Sequence, residues 1–251
     1  MMKKGKIYGV GVGPGDPELI TIKGLRAIEG ADIIAFHQAM GKKSNALTIA
    51  ECWIKESQTL LPLTYPITTQ APPLNTSYDD ILSKFYGDIT TELESHLSQG
   101  KIITVLAEGD PLFYSSFMYI HDRLADKFET TIIPGITSIS GASAALATPI
   151  CYRNETFTVL SAVLDEEKLE EKLKEKSAFA IMKLGRNIDK IIKILKRLNL
   201  FDKALYIERA TMKDQKIRPL TEVNSNCSPY FSLILIPGEA YSSTQYKGKN
   251  L

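Results

Sequence analysis

The chain has 251 residues with 30 Lys and Arg against 29 Asp and Glu, and a net charge of +1 argues against a coat for nucleic acid, which needs a strong basic field. Hydrophobic residues at 44% and charged ones at 24% are globular proportions, which set aside disordered and collagen-like chains. The length admits one large α/β domain or two of roughly 100–150 residues.

In chain order, Ile7 to Val12 reads as a first strand, followed by a glycine turn and a helix capped by Thr21 that runs to Ala27 or Ile28 and stops at Gly30. Asp32 to Phe36 is the next strand. Leu61 to Asp80, with Pro62, Pro66, Pro72 and Pro73, reads as a long loop of the kind that often works as a lid. Ile102 to Ala107 is a strand, Glu108 to Pro111 a turn, Ser115 to Lys127 a helix and Thr131 to Ile133 a strand. Pro134-Gly135 then leads into a small-residue helix over 138–145. Beyond Cys151, strands are expected at 156–161, 179–183, 204–207 and 231–236, and helices at 166–174 and 188–198. Short apolar runs alternating with helical periods define an α/β protein, with a division expected at 1–125 and 126–251.

Cys52, Cys151 and Cys227 lie too far apart for a CxxC pair, and three cysteines cannot all pair internally, so a reducing cytoplasm is expected. Glycines, Pro14 and Asp16 break up the N-terminal apolar stretch, which argues against a signal peptide. Pro134, Gly135 and Pro149 interrupt the uncharged window from Thr130 to Tyr152, so no membrane span is expected. His37, His96 and His121 show no HxH or HExxH spacing, and no metal site is expected.

Three glycine-containing turns follow strands. Gly9-Val10-Gly11-Val12-Gly13-Pro14-Gly15-Asp16 fails the dinucleotide pattern because Pro14 stands where GxGxxG needs glycine, and it fails Walker A because no Gly-Lys-Ser/Thr follows. Glu108-Gly109-Asp110-Pro111 allows close backbone approach and offers acids to a cationic or hydroxyl-bearing ligand. Pro134-Gly135-Ile136-Thr137-Ser138 offers hydroxyls and N–H groups at a helix start. Each is equally readable as plain turn or cap chemistry, but together they place three turns at one sheet edge, where α/β proteins bind ligands. An acid-rich, phosphate-unfriendly edge suits a ligand carrying an amine, a ribose and a sulfonium.

The segments YGVGVGPGDPELITIKGLRAIEGADIIAFH, LAEGDPLFYSSFMYIHDRL and IIPGITSISGASAALATPI resemble the tetrapyrrole methyltransferase family, with weaker matches at 180–185 and 207–211. The second segment and LPLT after residue 60 most resemble its members that act at C20 of precorrin-2. The resemblance implies two α/β domains with S-adenosylmethionine in the cleft between them, S-adenosylhomocysteine as product, a homodimer, and a reduced tetrapyrrole, precorrin-2 or cobalt-precorrin-2, as methyl acceptor. It implies cofactor contacts from Pro14, Glu108, Gly109, Asp110, Phe113, Thr137, Ser138, Leu184 and Ala210, with Leu184 where some relatives carry methionine and Ala210 where some carry glycine.

Methyl transfer from a sulfonium needs alignment and exclusion of water more than a strong base, which fits the absence of any Ser-His-Asp or Cys-His pattern. Asp16 is a polar candidate near the reaction and equally a helix cap. His37, Lys183 and Arg209 are candidates to meet the acceptor, whose eight carboxylates call for basic partners, and His37 could instead meet a cobalt axial position; Lys42, Lys43, Arg123 and Arg186 are further basic candidates, and for each a surface role, or for His37 a surface or packing role, stands beside the functional one. Rival readings are a family member acting at another tetrapyrrole carbon or on a protein residue, and a non-catalytic nucleotide-binding module.

Overall fold

The computed structural model describes residues 5–68, 73, 75–175, 177–223 and 228–238, and the chain forms two compact units, 1–137 and 138–251.

The first unit runs β1 (Lys6–Gly11), α1 (Ile22–Glu29), β2 (Ile33–Ala39), α2 (Asn45–Ala50), β3 (Thr59–Tyr65), α3 (Tyr78–Ser98), β4 (Ile102–Ala107), α4 (Phe117–Leu124) and β5 (Glu129–Ile133). Its sheet has the order β3-β2-β4-β1-β5, and every pair is parallel. Apolar residues fill both faces, as a parallel sheet between helices requires. Ile7, Ile33, Ala35, Ile103 and Val105 meet Phe85, Leu93 and Leu97 of α3 and Phe117 and Ile120 of α4. Val10, Ile34, Phe36 and Leu106 meet Ala27 and Ile28 of α1 and Ile49 of α2. Each such Ile, Leu or Phe contributes about 1.5–3 kcal/mol by leaving water.

The cap expected at Thr21 is in place: its Oγ1 accepts the Gly24 N–H at 3.0 Å, and Gly30 closes α1. Several expectations are corrected. The long loop expected from Leu61 to Asp80 contains most of β3. Pro62 lies opposite Phe36 within that strand, and an edge position lets a residue without an N–H stay in the ladder. The same span holds the start of α3, capped by Ser77; residues 69–72 and 74 lie outside the described residues. The strand expected to end at Phe36 continues to Ala39, so His37 lies inside β2 rather than past it. The division expected after residue 125 falls between 137 and 138, because β5 hydrogen-bonds to β1 from Lys6↔Glu129 to Val10↔Ile133.

The second unit runs α5 (Ser138–Ala145), β6 (Phe157–Ser161), α6 (Glu166–Leu173), β7 (Ala178–Met182), α7 (Ile188–Arg197), β8 (Leu205–Glu208), β9 (Lys216–Arg218) and β10 (Ser232–Ile236). Its sheet is mixed, with the order β6-β7-β10-β8-β9 and β10 antiparallel to both neighbours. The apolar stripe of α7, Ile191, Ile194 and Leu195, packs on Phe179, Ile181 and Ile234. Its wet face is tied to α6 where Arg197 bridges Glu166 and Glu170, each at 2.7 Å, and Glu170 also pairs with Lys174 at 3.3 Å. No helix among the described residues is long and apolar enough to cross a membrane.

Candidate active site

Parallel strands deliver their carboxyl ends to one edge, and in the first sheet the turns after β4, β1 and β5 leave side by side. Backbone locks them together. The Val12 N–H donates to Ala107 O at 2.9 Å, Gly109 N–H to Gly13 O at 2.9 Å, and Gly13 N–H to Gly109 O at 3.3 Å. Gly13 and Gly109 adopt φ of +80° and +66°, a region glycine enters without strain. Contact is closest at Gly135, where a Cβ would stand 2.0 Å from Gly109 O and 2.7 Å from Gly11 Cα.

The acids at this edge hold backbone. Asp110 accepts the Leu112 N–H on Oδ1 at 2.9 Å and the Gly135 N–H on Oδ2 at 3.1 Å, so it braces its own turn and the next one. Asp16 Oδ1 accepts the Glu18 N–H at 2.9 Å and caps the 3-10 turn at Pro17–Leu19. Glu108 accepts from Asn45 and from the Ala46 N–H at the start of α2. Burial of the carboxyl pushes it up from 4.5 to about 7, and the bonds from Ala46 and Asn45 oppose that rise.

The remaining expected residues are placed as follows. Pro14 is buried in the first turn, and Thr137 and Ser138 are half-buried in the third. The half-buried Phe113 ring lies edge-on to Tyr114, which adopts φ +55°. In the second unit, Lys183 and Leu184 follow β7, and Arg209 and Ala210 follow β8; both strands run antiparallel to β10, so the two segments leave the same sheet edge. Leu184 points into that unit's core and is fully buried, leaving only its backbone to a ligand. Lys183, Arg209 and Thr211 take φ of +59°, +47° and +66°, and Arg209 Nη1 pairs with Asp214 Oδ2 at 3.2 Å. Of the other basic candidates, Lys43 is held by Glu51 at 2.5 Å and Arg123 Nη1 donates to Tyr119 O at 2.8 Å.

His37 sits in a cluster of rings that sequence reasoning missed. It stacks on Tyr65 at 5.3 Å and meets Phe85 and Tyr86 edge-on at 6.4 Å each, while Tyr86 lies against Tyr119 at 4.6 Å. Burial pulls its imidazole down from 6.5 to about 4, so it is neutral at ordinary pH. Tyr65 was hidden by the prolines around it. Tyr86 had a readable signal, since Leu82, Phe85, Tyr86, Ile89, Leu93 and Leu97 follow one helical face after a serine cap.

This edge fits an adenosyl sulfonium compound. Its floor is backbone that an added Cβ at Gly11 or Gly135 would fill, its turns carry no Lys or Arg, and its acids disfavour a pyrophosphate.

An α/β protein of two units with this glycine-turn edge matches one family. The chain belongs to the Tetrapyrrole (Corrin/Porphyrin) Methylases, whose family model matches residues 6–224. It is 41% identical over 95% of its length to the cobalamin biosynthesis protein CobIJ of Mycobacterium tuberculosis, and it spans about half, 47%, of the length of that relative. It is 39% identical to the precorrin-2 C(20)-methyltransferase of a Sinorhizobium species, over 93% of this chain and 96% of the relative. A solved uroporphyrin-III C-methyltransferase from Thermus thermophilus, complexed with S-adenosylhomocysteine, shares the fold, with a TM-score of 0.63 at 20% identity over 94% of this chain and 98% of that one.

Proposed function

We propose that this protein transfers a methyl group from S-adenosylmethionine to C20 of precorrin-2 or cobalt-precorrin-2 in cobalamin biosynthesis. What carries the reading is the end-to-end match to a relative named for that reaction, joined to a sheet edge whose donor set suits the cofactor. The bound cofactor supplies an electrophilic methyl on a good leaving group, so the chain's task is to hold and align.

Gly11, Gly13, Gly109 and Gly135 give the cofactor a floor of backbone, which Asp110 keeps in register. Glu108, Phe113, Thr137 and Ser138 are the proposed contacts around it, with Pro14 beneath and the backbones of Leu184 and Ala210 as further contacts from the second unit. Lys183 and Arg209 offer charge to the acceptor's carboxylates. Asp16 is a cap in this reading, and no residue is assigned as proton acceptor, since transfer itself needs none. A homodimer in the cytoplasm completes the proposal.

The test is anaerobic incubation with S-adenosylmethionine and precorrin-2, with and without cobalt. The expected product carries one added methyl by mass, placed at C20 by carbon NMR with a labelled donor. A methyl at another carbon, or none on either substrate, overturns the reading.

A further inference from the structure

The ring cluster around His37 contains a polar group whose burial is uncompensated. The residue as a whole is half-buried, but its Nε2 is sealed from solvent and has no hydrogen-bond partner among the described residues. Leaving such an atom unpaired is costly, so its position needs a reason. Packing alone does not supply one, because phenylalanine would fill the same space between Tyr65, Phe85 and Tyr86 without that cost.

The surroundings indicate what would pair with it. The Tyr65 hydroxyl is hydrogen-bonded to Ser116 Oγ, and the Tyr86 hydroxyl is in hydrogen-bonding reach of both. Three hydroxyls in mutual reach can spend all three O–H groups on one another, so an arriving anion takes an O–H by replacing one of those bonds. The Arg123 guanidinium lies 5.8 Å from the Tyr86 ring centroid and adds positive potential on the α4 side. The groups facing the cluster are therefore His37 from β2, Tyr65 from β3, Tyr86 from α3, and Ser116, Tyr119 and Arg123 from around α4. Glu108, beyond β4, is the acid that acts on Tyr65, and its carboxyl is held at Asn45 and Ala46. Donors, positive potential and an acid turned elsewhere describe a receptor for an anion.

We propose that the His37, Tyr65, Tyr86 and Ser116 side chains bind one carboxylate arm of the methyl acceptor, an acetate or propionate of the tetrapyrrole rim. The inference rests on the tetrapyrrole reading above and specifies a contact within it. β2 and β3 end at the same edge of the parallel sheet as the glycine turns, and β2 is the direct neighbour of β4, so an arm held here anchors a flat macrocycle beside those turns. His37 acts as a positioning residue that binds the rim. A carboxylate against a buried imidazole favours the imidazolium, so arm binding draws a proton onto His37.

The experiment is anaerobic calorimetry of precorrin-2 binding in the presence of S-adenosylhomocysteine, which has no methyl to transfer, at pH 6 in two buffers of different ionisation enthalpy. Wild-type protein is expected to take up a fraction of a proton on binding. His37→Phe is expected to abolish that uptake and weaken precorrin-2 binding about tenfold, with S-adenosylhomocysteine affinity unchanged. In turnover the same variant raises KM about tenfold and leaves kcat within about twofold. If His37→Phe does not fold, Tyr65→Phe keeps the ring, removes one donor and is expected to weaken precorrin-2 binding about threefold.

Unchanged precorrin-2 affinity and proton uptake in the folded variants overturn this contact while leaving the methyltransferase reading standing. A drop in kcat at constant KM overturns it too, by giving His37 a part in the chemical step. So does a visible-spectrum shift of cobalt-precorrin-2 that only wild type produces, since the imidazole then ligates the metal. Wild type that binds S-adenosylhomocysteine but neither tetrapyrrole overturns both readings together.

Discussion

Gly135 shows how much can depend on one missing side chain. Its Cα approaches two other loops so closely that a methyl group would overlap Gly109 O at 2.0 Å and Gly11 Cα at 2.7 Å, and backbone cannot rotate away as a side chain can. Gly135→Ala is expected to cost on the order of 2–4 kcal/mol and to abolish measurable S-adenosylhomocysteine binding, read by thermal denaturation and calorimetry. A contrasting control is Gly87→Ala in α3, where a Cβ meets nothing within 4 Å; there stability should hold or rise slightly. The importance of the glycine turns was legible in the sequence because strand-end glycines have few explanations. The duty of Asp110 was not: an acid beside a glycine reads equally as ligand contact or brace, and only the 3.1 Å bond to Gly135 N–H shows the brace.

At the scale of elements, α1 illustrates how a short helix is fixed to its sheet. The Ala27 carbonyl, near the helix end, accepts from buried Thr104 Oγ1 of β4 at 2.9 Å, while Gln58 Nε2 reaches Ile28 O at 2.6 Å and Ala31 O at 2.7 Å. Carbonyls that a helix end leaves unpaired are thus satisfied from two other segments. Thr104→Val preserves shape and removes the donor, so it should lose about 1–2 kcal/mol in denaturant unfolding. β1, α1 and β4 were readable because each carries a clean period or a cap. β3 was not, since Thr-Leu-Leu-Pro-Leu-Thr-Tyr combines proline with weak alternation, and its strand state comes from pairing with β2 along one edge. The three-residue β9 is short and polar, and it exists through pairing with β8.

For the whole molecule, two desolvated groups make stability respond to pH in opposite senses. His37 has its pKa lowered in the folded state, from 6.5 to about 4, so its contribution is complete above about 6.5 and is lost as pH falls toward 4. Glu108 has its carboxyl raised from 4.5 to about 7, so its contribution is complete below about 4.5 and is lost as pH rises through 7. The windows overlap, and the wild-type profile between pH 5 and 7 should be flatter than either variant's. His37→Phe should tilt the profile toward greater stability at pH 5, by on the order of 2 kcal/mol relative to pH 7. Glu108→Gln should tilt it the other way. Melting temperatures across that range decide the matter: parallel profiles for all three proteins would remove both groups from the balance.

The mutual contact of Gly11, Gly109 and Gly135 also constrains how this sheet edge can vary. Gly11 and Gly135 are each closed by atoms belonging to another turn, and Gly109 holds a φ of +66° that side chains disfavour, so a single substitution to a residue with a side chain is not accommodated by adjusting its own loop. Two turns would have to move in concert, through intermediates that neither fold well nor keep the floor. Side chains around the edge are free to drift one at a time and retune what the protein acts upon, while the backbone floor admits no gradual path. Divergence in this architecture therefore has an open route through acceptor recognition and a barrier at the floor itself.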